Sequence, residues 1–200
     1  MKRSLTLGQN PSHLVKITMI VLLSLGSVGV VGGSFFIRKA FITTSQSEIV
    51  TDTSRYKEIR HQLWSSQDDI KHFPSEIPAG VKNERLAYAP GSSQTGSYFQ
   101  VRLKKSPEQI QQLLDQYRKL AKHQYRGGDT NIHANLPNGV PTTFFYTSES
   151  AAESFPPSYE ILVLNAKDKG RPGFKWNHGD SYGVAIDSSA SEIIYWAEKW

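Results

Sequence analysis

From Ile17 to Ile37 the chain runs twenty-one residues without a charge, between Lys16 on one side and Arg38-Lys39 on the other. As a helix this run would be roughly 31 Å long, the thickness of a bilayer's hydrocarbon core. It divides the chain into a basic tail over 1–16, a membrane-spanning signal anchor over 17–37, a Ser/Thr-rich linker over 38–53 and one soluble domain over 54–200. The competing reading is a cleaved signal peptide, suggested by the basic start (Lys2, Arg3) and the small residues Gly32 and Gly33. Against cleavage, the charged stretch before the core is long. The apolar run also continues through Phe35-Phe36-Ile37, and Arg38-Lys39 closes it as an anchor would. Gly29 and Gly33 stand four apart, the small-xxx-small spacing that lets two spanning helices approach, and are candidates for self-association into a homodimer. Lys2, Arg3 and Lys16, with no acid beside them, put the tail inside and the domain outside the cytoplasm.

The net charge of +5 misleads about that domain. All eighteen Asp and Glu lie at or after Glu48, where they meet eighteen of the twenty-three Lys and Arg. The basic excess surrounds the membrane run, so nucleic-acid binding loses its main support. The expected partners are the membrane and an unidentified protein or envelope ligand. Within the domain, Arg118, Lys119, Lys122 and Arg126 form a local basic cluster, a candidate contact for anionic lipid or an acidic partner. The chain has no cysteine, which excludes disulfides and a thiol nucleophile.

Periodicity then places the elements. Tyr56, Ile59, Leu63 and Ile70 share a helical face, predicting a helix from Ser54 to about His72, stopped by Phe73-Pro74. Arg85 to Ala89 is a short strand. Ser97 to Lys104 alternates most clearly, with Phe99, Val101 and Leu103 on a buried side and Tyr98, Gln100, Arg102 and Lys104 on a wet one. Ser106, Pro107 and Gln109 make a capping box that starts a helix with the stripe Ile110, Leu113, Leu114, Tyr117 and Ala121; Gly127-Gly128 ends it. Strands follow at Thr142–Thr147, at Tyr159–Asn165 (apolar on both sides, hence central), at Ser181–Asp187 and at Glu192–Trp200. Contiguous strands without strand-helix alternation predict an α+β fold, a mostly antiparallel sheet packed by two helices.

No serine sits in a Gly-x-Ser-x-Gly elbow, and no glycine run forms a phosphate loop. The six histidines lack metal-ligand spacing, so neither metal nor cofactor is expected. Two constellations could serve a hydrolase of envelope material. Glu160, Asp187, Glu192 and Glu198 lie on or beside strands and could supply a carboxylate pair, and His178 and Asp180 share a loop. Trp176, Tyr182, Tyr195, Trp196 and Trp200 crowd the last twenty-five residues. Of these, Trp176, Tyr182, Trp196 and Trp200 are a candidate interaction surface.

The segments Phe73-Pro74-x-x-Ile77-Pro78, Leu86-x-Tyr88-x-Pro90-Gly91 and Tyr182-Gly183-Val184-Ala185-Ile186…Glu192-Ile193-Ile194-Tyr195-Trp196-Ala197-Glu198-x-Trp200 resemble uncharacterised bacterial proteins with one membrane segment. The resemblance implies a bacterial, membrane-anchored protein and carries no activity or site. The favoured expectation is a non-enzymatic binding or assembly domain held outside the cytoplasm. The alternatives are the envelope hydrolase and a cytoplasm-facing domain whose basic cluster lies on anionic lipid.

Overall fold

The computed structural model describes residues 49–77, 83–92, 95–128, 133–150 and 153–200. The run 17–37, with Gly29 and Gly33, lies outside the described residues. Among those described, no helix is long and apolar enough to cross a membrane. They belong to one compact unit, Ser47–Trp200.

That unit is an α+β domain built on one antiparallel sheet. Its strands are β1 (Arg85–Ala89), β2 (Ser97–Lys104), β3 (His123–Arg126), β4 (Glu160–Asp168), β5 (Gly179–Asp187) and β6 (Glu192–Lys199), in the order β1-β2-β6-β5-β4-β3. The two last strands take the middle of the sheet, as their apolar residues on both sides demand. A tight turn joins them, held by Asp187, whose Oδ1 accepts from the backbone N–H groups of Ser189 (2.9 Å) and Ala190 (3.1 Å). The strand expected to be central, β4, instead lies between β5 and the edge strand β3. Val50 bridges Tyr88, so the sheet takes its first described contact inside the stretch assigned to the linker.

One sheet face carries Phe99, Val101, Leu103, Leu162, Val184, Ile186, Ile193 and Tyr195, and helical segments cover it. The first is a 3-10 turn (Thr53–Arg55), the single α turn α1 (Tyr56–Glu58) and a π turn (Ile59–Leu63) in succession. The predicted helix to His72 stops at Trp64, whose N–H bonds to the Ile59 carbonyl at 2.9 Å while its own backbone turns extended. The break buries the Trp64 indole and leaves Leu63 40% exposed, contrary to the helical-face expectation. The second cover is α2 (Pro107–Leu120), which begins with the predicted capping box: Ser106 Oγ accepts from Gln109 N–H, and Gln109 Oε1 from Ser106 N–H. Ile110, Leu114 and Tyr117 point into the core. The helix ends at Leu120, short of Gly127-Gly128, because Ala121 turns extended and leads into β3.

The other face, expected to be wet, is also buried. The connection between β3 and β4 lies across it as an irregular strap. Phe145, Phe155 and Tyr159 pack on Ile161, Ala185 and Ile194, and Val140 packs on Val163 and Trp196. Thr142–Thr147 is therefore no strand: it crosses a face, where no ladder is on offer, and its backbone bonds to side chains of β2 and to carbonyls within the strap, Phe145 N–H to Glu153 at 2.9 Å among them. Gln100, fully buried, donates from Nε2 to the Phe144 carbonyl (2.8 Å) and accepts on Oε1 from Thr147 N–H (2.9 Å) and Oγ1 (2.8 Å). Arg102 NH1 reaches the Thr147 carbonyl at 3.3 Å.

Trp196 fits under the strap because residue 183, opposite it on β5, is glycine. A Cβ there would overlap the Leu162 carbonyl oxygen and stand 3.1 Å from the Trp196 ring. Gly183→Ala is expected to lower stability by about 1–3 kcal/mol, the usual cost of overpacking, read as the urea midpoint with an unchanged slope.

Candidate functional site

The carboxylates that might have formed an acid/base pair are each committed elsewhere. Glu192, with its side chain only 4% exposed, takes two bonds from Arg102, at 2.8 and 3.0 Å, and one from Tyr159 Oη at 2.6 Å. Burial works against its charge, but the Arg102 and Tyr159 hydrogen bonds outweigh it and hold the carboxyl below the usual carboxylate range. Asp187 follows the same logic: burial opposes its charge, and hydrogen bonds from Ser158, Ser189 and the turn amides prevail. Glu160 is gripped by the guanidinium of Arg118 at 2.6 and 2.7 Å, and that grip lowers its pKa. Glu198 accepts from Tyr146 Oη at 3.2 Å. Asp180 is ion-paired with Lys169.

The basic cluster divides. Arg118 is neutralised by Glu160, and Arg126 lies exposed on the neighbouring strand opposite the same residue. They line a cleft of about 320 Å³ with Ser158, Asp187 and Ser189. Lys122 Nζ bonds to Asn165 Oδ1 at 2.6 Å, and Lys119 is exposed.

The aromatic cluster divides as well. Trp196 is fully buried and belongs to the core, a correction to its place on an interaction surface; its strand is central and both its faces are covered. Tyr182 faces the helical side, stacked on His72 with ring centroids 5.4 Å apart. Trp176 and Trp200 do meet. Trp200 Nε1 donates to the Trp176 carbonyl at 2.9 Å, the rings lie 6.3 Å apart, and Trp200 exchanges backbone hydrogen bonds with Gly179 at 3.0 Å. Gly179 leaves room for the indole, since a Cβ there would come within 2.8 Å of the ring.

Trp200 closes one side of an open cleft of about 430 Å³, with His178, Lys199 and the β1–β2 turn (Pro90, Gly91, Gly96, Ser97) around it. The turn is fixed by a positive φ of 73° at Gly91 and by Ser92 N–H donating to the Thr95 carbonyl at 3.0 Å. Lys199 is held away by Asp69 (3.2 Å) and Ser65 (2.9 Å). The cleft thus offers backbone and hydroxyl groups, an exposed imidazole and an indole of fixed orientation, a lining suited to an extended polar ligand. The sequence signalled Trp200 and His178. Pro90-Gly91 marked the end of the first strand, but nothing in the sequence placed that turn beside Trp200, which it reaches through the β1-β2-β6 order. Scans of protein-family models, curated proteins and solved structures find no match to this chain.

His72 serves the fold. Its Nε2 lies 3.0 Å from the Gly183 carbonyl, and its ring packs on Phe73 and Tyr182. Burial pushes its pKa from 6.5 down to about 4, against weaker pulls from the Gly183 and Trp196 carbonyls. Between those values the unfolded chain binds a proton that the folded chain refuses. The contribution of His72 is therefore complete above pH 6.5 and declines as pH falls toward 4, by up to about 3 kcal/mol. His72→Gln is expected to flatten stability across that window in urea titrations at several pH values.

Proposed function

We propose that this chain is a bacterial single-pass membrane protein whose run 17–37 anchors the α+β domain outside the cytoplasm, and that the domain is a binding module rather than an enzyme. The observation that carries the reading is the cleft between the β1–β2 turn and Trp200, whose indole is oriented in advance by Trp176 and Gly179. Holding an aromatic anchor rigid lowers the ordering cost of binding. The engagement of Glu160, Asp187, Glu192, Glu198 and Asp180 by partners within the fold weighs against the hydrolase alternative. The pairing of Arg118 with Glu160 weighs against that cluster as a lipid contact.

A photo-crosslinking amino acid at His178, in the cleft, is expected to trap a discrete adduct in cells, while the same group at Gln112 on the exposed side of α2 traps none. Trp200→Ala should cut the adduct about tenfold or more, as loss of an aromatic anchor does. Equal labelling at both positions, or indifference to Trp200→Ala, contradicts the cleft as the site. Protease added to intact spheroplasts should digest a tag placed after Trp200; a protected tag reverses the topology.

A further inference from the structure

The β4–β5 hairpin ends in a loop, residues 169–178, that the binding cleft does not use up. It is built firmly. Lys169 N–H donates to the His178 carbonyl at 2.9 Å, and Asp168 Oδ1 accepts from the N–H groups of Gly170 (2.8 Å) and Trp176 (3.1 Å). Further turns run from Phe174 N–H to the Arg171 carbonyl (2.9 Å) and from Asn177 N–H to the Phe174 carbonyl (3.2 Å). At the tip, Gly173 has φ +83° with open space beside it. The result is a phenylalanine held out in solvent: Phe174 is 66% exposed, more than any other large apolar side chain among the described residues.

Cations flank it along the loop. Lys167, Arg171 and Lys175 are exposed, and Lys175 Nζ stands 5.9 Å over the Trp176 ring. Only Lys169 is neutralised by an ion pair in this group among the described residues, through Asp180. An exposed apolar aromatic tip with exposed cations on either side of it in the loop matches the gradient of a bilayer surface, where aromatics sit at headgroup depth and Lys or Arg meets lipid phosphate.

The path of the chain points the same way. Val50 pairs antiparallel with Tyr88, so Ile49 lies toward the end of the sheet where β1 finishes. At that end Ala89 faces Tyr98, Ser97 faces Lys199, Lys199 faces Asp180 and Asp180 faces Lys167. The polypeptide thus enters the domain at the end that carries the loop. Eleven residues, 38–48, separate Ile49 from the membrane run, a span of at most ~40 Å. We propose that the β4–β5 loop docks on the anionic surface of the bilayer, with Phe174 entering the interface and Arg171 and Lys175 on lipid phosphates. The proposal rests on the membrane attachment of the chain and adds which end of the domain meets the lipid.

Because the chain has no cysteine, Phe174→Cys gives a single site for an environment-sensitive nitrobenzoxadiazole label on the full chain. In vesicles of phosphatidylcholine with phosphatidylglycerol, the label should brighten severalfold and shift to the blue. It should stay water-like in phosphatidylcholine alone, at high salt, or when Arg171→Glu and Lys175→Glu are added. The same label at Gln112→Cys should not respond. If the chain floats with vesicles of both kinds and the 174 label responds to neither, the loop proposal falls and the attachment stands. If the chain floats with neither, both fall. A response to added RNA but not to vesicles overturns the lipid reading in favour of a polyanion.

Discussion

Everything in this domain follows from covering both faces of the sheet, one by helices and the other by a strap whose described residues form no strand and a single 3-10 turn, His133–Asn135. A strap of that kind satisfies only part of its own backbone, through bonds such as Phe145 N–H to the Glu153 carbonyl, and unpaired buried amides each cost about 1–3 kcal/mol. Gln100 and Arg102 provide what it lacks, from the middle of β2: one amide closes on Phe144 and Thr147, and one guanidinium links Thr147 to Glu192. The Arg102–Glu192 pair is deeply set, so its Coulomb attraction is largely offset by desolvation. Its value lies in register, because only one position of the strap satisfies Gln100, Arg102, Glu192 and Tyr159 together.

Under that clamp the apolar fill is conventional. Trp196 alone, wholly buried, is worth about 5 kcal/mol in area removed from water, and it is accommodated because β5 has a glycine opposite it. The same glycine's carbonyl receives His72 from the helical side. A single position on β5 thereby couples the packing of both layers.

The elements legible in the sequence were those fixed by local chemistry. The Ser106–Gln109 box starts α2, the alternation Phe99, Val101, Leu103 marks β2, and β5 and β6 read as strands, although the two-sided apolar run that suggests a central strand is that of β4. What escaped was decided at a distance. Gln100 and Arg102 look like solvated residues until the strap lies over them. Thr142–Thr147 has strand composition but lies across a sheet face rather than along an edge, while His123–Arg126 pairs as β3 without any alternation to announce it. Trp64 breaks a helix that its neighbours favour because the cavity beside Phe99 takes an indole. Of the candidate site residues, Trp176 and Trp200 come together as one unit, whereas Trp196 and Tyr182 are separated by the sheet itself.

The end of the sheet formed by the β1–β2 turn, Trp200 and the β4–β5 loop concentrates the exposed chemistry of the domain, while the clamp of Gln100 and Arg102 holds the strap on the sheet face. Amide hydrogen exchange in Gln100→Leu is the sharpest test of that clamp. Thr147 and Phe145 should lose protection well before the amides of α2 between Ile110 and Tyr117, as a strap released from a face that remains otherwise folded. Unchanged protection at Thr147, or a uniform loss across strap and helix alike, would contradict it.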